Sequence, residues 1–200
     1  MNDKGGITEV TEAKSGKILG SPQMLAFQLQ GDDLIPNSRL PLLIYRQAFN
    51  MPEPGDPAAL EKAFQVNDWK GCWRNGIYSY HHYHSTAHEV LGVFRGTARV
   101  QFGGNRGRTQ QLNAGDVVII PAGVAHKNLE SSDDFGVVGA YPAGQEPDMC
   151  YGEPGERPEA DARIARVPMP SRDPVYGAHG PLLERWRLSS KPTADPSTHP

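Results

Sequence analysis

The chain has little of what marks a secreted, membrane-spanning or nucleic-acid-binding protein. Its two cysteines, Cys72 and Cys150, are far apart and lack Cys-x-x-Cys spacing, so they form no disulfide framework. Two buried free thiols in a reducing cytoplasm are the expectation. No apolar run approaches the roughly 18 residues that a membrane helix requires. The opening "MNDKGGITEVTEAKSGK" has no apolar stretch of the kind a signal peptide carries. Charge is nearly balanced, with a net of −3 and a pI near 6.2. No basic run is interleaved with aromatics, so neither nucleic acid nor an anionic membrane is an expected partner.

Turn-forming residues are plentiful: 22 glycines and 18 prolines among 200 residues favour many short strands. In "MLAFQLQ" (24–30), Leu25, Phe27 and Leu29 alternate onto one face, as in a strand. "LPLLIYR" (40–46) is a second extended run, with Pro41 confined to a strand start or an edge. One helix stands out. Asp56 is a good N-cap, Pro57 suits the first helical position, and Leu60, Ala63 and Phe64 form an apolar stripe ending near Asn67. From Trp69 the pattern is β throughout, over 73–84, 89–102, 108–129 and 135–144, with "GGNRG" (103–107) as a hairpin loop. Such spacing indicates a sandwich or barrel. The expected organisation is a single domain over 1–200. Its barrel core spans about 69–142, with an N-terminal extension over 1–68 and a wrapping tail over 143–200. Residues 1–20 are expected to be mobile and 189–200 disordered.

Four of the seven histidines fall within "HHYHSTAHE" (81–89). In a strand, His82 and His84 share a side with Tyr78 and Tyr80, while His81 and Tyr83 point the other way. A bend at "STA" lets Glu89 begin a new strand facing inward with Leu91 and Val93. Further on, "GDVVIIPAGVAHKN" turns a Pro-Ala-Gly corner and puts His126 and Asn128 on one face. Paired beside the first strands, His126 completes a set of three imidazoles and one carboxylate. His81, His88, His179 and His199 read as surface or hydrogen-bonded residues. Tyr78 and Tyr80 line a pocket or fill a core.

The spacing resembles that of the cupin superfamily, the RmlC-like jelly rolls. Gly76, five residues, His82-x-His84, four residues, Glu89, six residues and Gly96 match the first motif of that family. Gly115, five residues, Pro121-x-Gly123, two residues and His126 match the second. Where the second motif ends in Asn, this chain has Glu130, with Asn128 nearby. The flanks are similar to those of single-domain, YjlB-like bacterial cupins. The resemblance implies an all-β, double-stranded β-helix (jelly-roll) barrel holding a divalent metal on His82, His84, Glu89 and His126. It also leans toward a homodimer.

Such a site suits Fe, Mn, Ni, Zn or Cu and leaves positions open for a small-molecule ligand. The resemblance makes a metal-dependent dioxygenase on a small polar organic substrate the leading expectation. A metal-assisted isomerase or lyase, and a non-catalytic small-molecule binder, are the alternatives. Tyr78, Tyr80 and Asn128 are the candidate pocket residues. Arg95 and Arg99 either pair a substrate carboxylate or are solvated. With unperturbed histidines near pKa ~6.5, protons should compete steeply with metal between about pH 7 and pH 5.

Overall fold

A computed structural model describes residues 18–19, 23–51 and 55–190. The chain folds into two antiparallel sheets. The larger is built from β1 (Gln23–Phe27), β2 (Leu42–Arg46), β3 (Trp69–Asn75), β4 (Glu89–Arg95), β7 (Val117–Ile120) and β9 (Gly136–Pro142), in the order β1-β2-β7-β4-β9-β3. The smaller contains β5 (Thr97–Phe102), β6 (Arg108–Asn113) and β8 (His126–Ser131), in the order β6-β5-β8. This is the expected all-β jelly-roll class.

Strand parity explains the core. Leu42, Ile44, Leu91, Val93, Val118, Ile120 and Val137 face the smaller sheet and pack with its Val100, Phe102 and Leu112. Their alternates, Leu43, Tyr45, Val90, Val117, Ile119 and Val138, face outward and are also buried. A sheet buried on both faces requires an outer cover. Helix α1 (Pro57–Val66) supplies part of it through Leu60, Ala63 and Phe64. Asp56 caps α1 by accepting from the Ala58 N–H at 2.9 Å, and Asn67 closes it, as the sequence pattern indicates.

The C-terminal segment supplies the rest, with two helices that composition did not reveal: α2 (Glu159–Ile164) and α3 (Pro181–Ser190). Trp186 of α3 is fully buried and donates to the Pro41 carbonyl at 2.9 Å. Buried Asp173 accepts from the Tyr45 hydroxyl at 2.6 Å, and from the backbone N–H groups of Val175, Tyr176 and Leu182. These bonds fasten the tail to β2.

The structure corrects three expectations. The sheet core begins at Gln23 rather than near residue 69, because "LLIY" is apolar on both faces and sits between β1 and β7. The strand expected over 73–84 stops at Asn75, and only single bridges continue the pairing, at His82 with His126 and at Tyr83 with Cys150. Ser189 and Ser190 close α3 rather than opening a disordered end. Residues 191–200, with 1–17 and 20 of the N-terminal segment, lie outside the described residues. Cys72 and Cys150 are free. Among the described residues, no helix is long and apolar enough to cross a membrane.

Candidate metal centre

Three elements bring the predicted set together. Glu89 opens β4 opposite Ile120. His126 opens β8 opposite Phe102. His82 and His84 lie on the irregular segment beside them. The backbones of His82 and His126 exchange both bonds, at 3.3 and 3.0 Å, and the His84 carbonyl accepts from the Gly123 N–H at 2.8 Å. At the Pro-Ala-Gly corner only glycine fits: Gly123 has φ +93°, and a Cβ there would lie 2.4 Å from the Asn37 carbonyl oxygen. Tyr83, between the two histidines, points away into a separate cluster with Ile35, Ala125 and Cys150.

His82, His84, Glu89 and His126 are 2 to 6 % exposed. Glu89 lies between two imidazoles, with His84 Nε2 at 3.6 Å from Oε1 and His126 Nε2 at 3.3 Å from Oε2. The His82 and His126 rings are 4.1 Å apart. Among the described residues, no group of three or more histidine, cysteine, aspartate or glutamate side chains is drawn together as a finished metal cage. The four form an open set.

On the far side of each ring, Nδ1 faces a backbone carbonyl. His84 Nδ1 meets the Asp148 carbonyl in a short contact, His82 Nδ1 meets that of Tyr80 at 3.4 Å, and His126 Nδ1 meets that of Val124 at 3.5 Å. The last two are long, but their sense is the same: the proton is favoured on Nδ1, and Nε2 is left inward as a lone-pair donor. Glu89 Oε2 is buried without a hydrogen-bond partner of good geometry. These features fit a divalent cation.

Electrostatics divide the imidazoles. Burial, with His82 and His84 nearby, pushes His126 down to about 3. Burial also lowers His82. For His84, burial is outweighed by Glu89 and the Asp148 carbonyl, and its pKa is raised. Burial works against the Glu89 charge, but the histidines, His84 foremost, hold its pKa below the usual carboxylate range.

The four side chains open onto a cavity of about 310 Å³, walled by Trp73, Ile77, Tyr78, Leu91, Tyr141 and Met149. Of the expected pocket residues, Tyr78 lines it. Tyr80 stacks on Tyr78 at 4.9 Å and stands outside the lining, 45 % exposed. Asn128 also lies outside, its amide donating to Ser131 Oγ at 3.0 Å. Arg99 pairs with Glu130 at 3.4 Å, both exposed, and Arg95 rests over the Phe94 ring. Arg74, at the cavity, is held by Glu61 through bonds of 2.6 and 2.8 Å.

Two neighbours escaped the sequence reading. Tyr141, next to last in β9, lies on the inward parity of Val137, a signal that was there to use. Its hydroxyl accepts from Trp73 Nε1 at 3.0 Å, and burial and the Glu89 charge raise its pKa. Asp148 had no such signal. Its carboxylate accepts from the Ser85 and Thr86 N–H groups, at 2.6 and 3.3 Å, and from the Ser85 hydroxyl, while its carbonyl orients His84. His88, expected at the surface or hydrogen-bonded, is buried, with Nδ1 accepting from the Ala122 N–H at 2.9 Å. His81, facing the other way as expected, meets Asn105 at 3.2 Å.

The fold is that of a cupin, and the cupin domain family matches residues 74–135. The chain belongs to that family. Within it, the chain is 44 % identical over 156 residues to the uncharacterized protein YjlB of Bacillus subtilis (strain 168), an alignment covering 78 % of this chain and 92 % of that one. Among solved structures it is similar to the 11S allergen from Cocos nucifera, at 20 % identity and TM-score 0.34, over 48 % of this chain and 29 % of the allergen. The match thus spans less than a third of that protein's length. A DUF861 family protein from Thermotoga maritima is 22 % identical with TM-score 0.29, over 45 % of this chain and 92 % of that one.

Proposed function

We propose that His82, His84, Glu89 and His126 hold one divalent metal ion. We propose further that the protein is a metal-dependent enzyme on a small polar organic substrate, with dioxygenase chemistry as the leading class. One observation carries the reading. Three buried imidazoles turn Nδ1 to backbone carbonyls, and the same pocket holds a buried, ionised glutamate with an orphaned oxygen. Three neutral imidazoles and one carboxylate suit Fe, Mn, Ni, Zn or Cu. Such an ion, when bound, supplies a Lewis acid or, as Fe(II), a centre for reaction with dioxygen.

The chain's own residues shape the rest. Trp73, Ile77, Leu91 and Met149 keep the cavity wall largely apolar. Tyr78 offers a ring face against which a substrate can lie. Tyr141, fixed by Trp73 and kept protonated, is a hydrogen-bond donor for a substrate oxygen. That held proton favours one second reading, an isomerase or lyase that needs no oxygen.

Elemental analysis of untagged protein, followed by oxygen uptake with Fe(II) loaded over a metabolite screen, tests the proposal. Protein that purifies metal-free and takes up no Fe(II), Mn(II) or Zn(II) ends it. Metal uptake and substrate turnover without oxygen consumption select the isomerase or lyase. Ligand binding without turnover selects a binding protein. The edge of β1, unpaired on one side among the described residues, is the surface we assign to a homodimer. A monomer by light scattering at on the order of tens of micromolar removes that assignment.

A further inference from the structure

Successive residues face different cavities at the start of β4. Glu89 opens on the metal pocket. His88 lines a second cavity, also of about 310 Å³, between the 36–40 loop, the Ala122 corner and the segment from Asp161 to Met169. Two side chains in its lining, His88 at 2 % exposure and Asn37 at 3 %, each bury a polar atom with no hydrogen-bond partner. Native proteins seldom leave such atoms unmet.

The chemistry of each atom is fixed by what its side chain already does. His88 Nδ1 accepts from the Ala122 N–H, so the neutral ring carries its proton on Nε2 and needs an acceptor there. The Pro168 carbonyl is near enough to favour that proton but does not meet it in hydrogen-bonding geometry. Asn37 Nδ2 donates to the Gln30 and Gly103 carbonyls at 2.7 and 3.1 Å, which sets the amide orientation. Its Oδ1 therefore needs a donor. Neither group is charged. Of the charged residues in the lining, Asp161 is engaged by Arg157 through bonds of 2.8 and 2.6 Å, and Arg39 is exposed to solvent. Leu40, Ala122, Ile164, Val167 and Met169 make up much of the remaining wall.

We propose that this second cavity binds a small uncharged molecule bearing a carboxamide or hydroxyl on an apolar body. The head accepts from His88 Nε2–H and donates to Asn37 Oδ1, while the body lies against Leu40, Ile164 and Met169. An anion is disfavoured by the fixed Asn37 oxygen, and a cation by the imidazole N–H. This site is independent of the metal reading.

The test titrates the full-length, ¹⁵N-labelled protein with benzamide, benzyl alcohol and benzoate, and follows the imidazole nitrogens and side-chain amides. The expected result is a saturable shift of His88 Nε2 and of the Asn37 amide with either neutral probe. Benzoate should bind at least tenfold more weakly. Met169→Trp, at a position 41 % exposed, should fill the cavity and abolish the response while the protein stays folded by circular dichroism. No saturation by either neutral probe would mean that the cavity holds only water, and the proposal fails. It fails equally if benzoate binds as well as benzamide, or if Met169→Trp leaves the wild-type response unchanged.

Discussion

The two cavities beside β4 both contain buried histidine, yet the local backbone gives the ring opposite roles. At the metal pocket, Nδ1 of His82, His84 and His126 each meets a carbonyl, so Nε2 presents a lone pair. At the second cavity, Nδ1 of His88 meets an N–H, so Nε2 carries the proton and offers no lone pair. Sequence alone cannot draw this distinction, since both kinds of histidine occur within eight consecutive positions, His81 to His88. Whether an imidazole can ligate a metal is decided by the backbone group behind it.

The largest expected effect follows directly. His126→Ala and Glu89→Ala should each lose bound metal completely at micromolar metal, by elemental analysis after dialysis. His81→Ala and His88→Phe should keep one equivalent. Full retention in His126→Ala, or loss in His81→Ala, would erase the distinction between the two kinds of histidine. The same comparison can be read without metal. Nitrogen-15 spectra of the metal-free protein should show the proton of His126 on Nδ1 and that of His88 on Nε2.

Acid stability comes next. His88 and His126 are both pushed by burial down to about 3. An unfolded histidine takes up its proton near pH ~6.5. Below that pH the unfolded state binds more protons than the folded one, so these two groups make the metal-free fold less stable as pH falls toward 3. Each removes about 1.4 kcal/mol per pH unit, or roughly 2 kcal/mol between pH 6.5 and pH 5. His84 has the opposite sign. Its raised pKa gives stability that is fully present below ~6.5 and is lost as pH rises through its folded value. In urea unfolding, the drop from pH 6.5 to pH 5 should shrink by about 2 kcal/mol in His88→Phe. An unchanged drop would mean that His88 is not buried as a neutral ring.

The parts of this molecule that could be read from sequence are those set by local geometry. Parity placed His82 and His84 together and turned Tyr83 away, and the cap at Asp56 with the stripe at Leu60, Ala63 and Phe64 defined α1. What escaped depends on contacts between distant segments. "LLIY" and "VVII" are apolar on both faces, which signals a cover without naming it, and the cover is α1 together with α3 and its Trp186. Asn128 shares the parity of His126 but spends its amide on Ser131, a local bond that parity does not foresee. Asp148 lies in a stretch rich in proline, glycine and charge, where no periodicity exists to mark it.

Asp148 gives the third effect. It acts through His84, whose Nδ1 its carbonyl meets, and through the turn at Ser85 and Thr86. Asp148→Asn keeps the backbone carbonyl behind His84 but weakens the grip on the turn. Metal affinity should fall about 10- to 100-fold, the usual cost of losing an orienting partner, with stoichiometry still one. A merely structural role would lower the melting temperature and leave the affinity of the folded protein unchanged.

The smallest effect is the pH slope of metal binding, and here the structure revises the sequence expectation. Three ordinary histidines would release up to three protons on metal binding at the acid end of the pH 7 to 5 range, a steep loss of affinity. In the folded protein, His126 is already neutral throughout that range, and burial moves His82 in the same direction. Glu89 is held ionised by its histidine neighbours. His84, raised by Glu89 and the Asp148 carbonyl, is the imidazole of the three that holds its proton more tightly than a free histidine, and metal must displace that proton. Apparent affinity should therefore fall less steeply between pH 7 and pH 5 than the slope approaching about three log units per pH unit that three ordinary histidines would give. In Glu89→Gln the carboxylate that holds the His84 proton is gone, so the slope should flatten while binding weakens at every pH. Metal titrations at four pH values on both proteins decide the point. A slope near three in the wild type would show that the imidazoles titrate as if exposed, and the burial that sets His82, His84 and His126 apart from free histidine would then count for nothing in their chemistry.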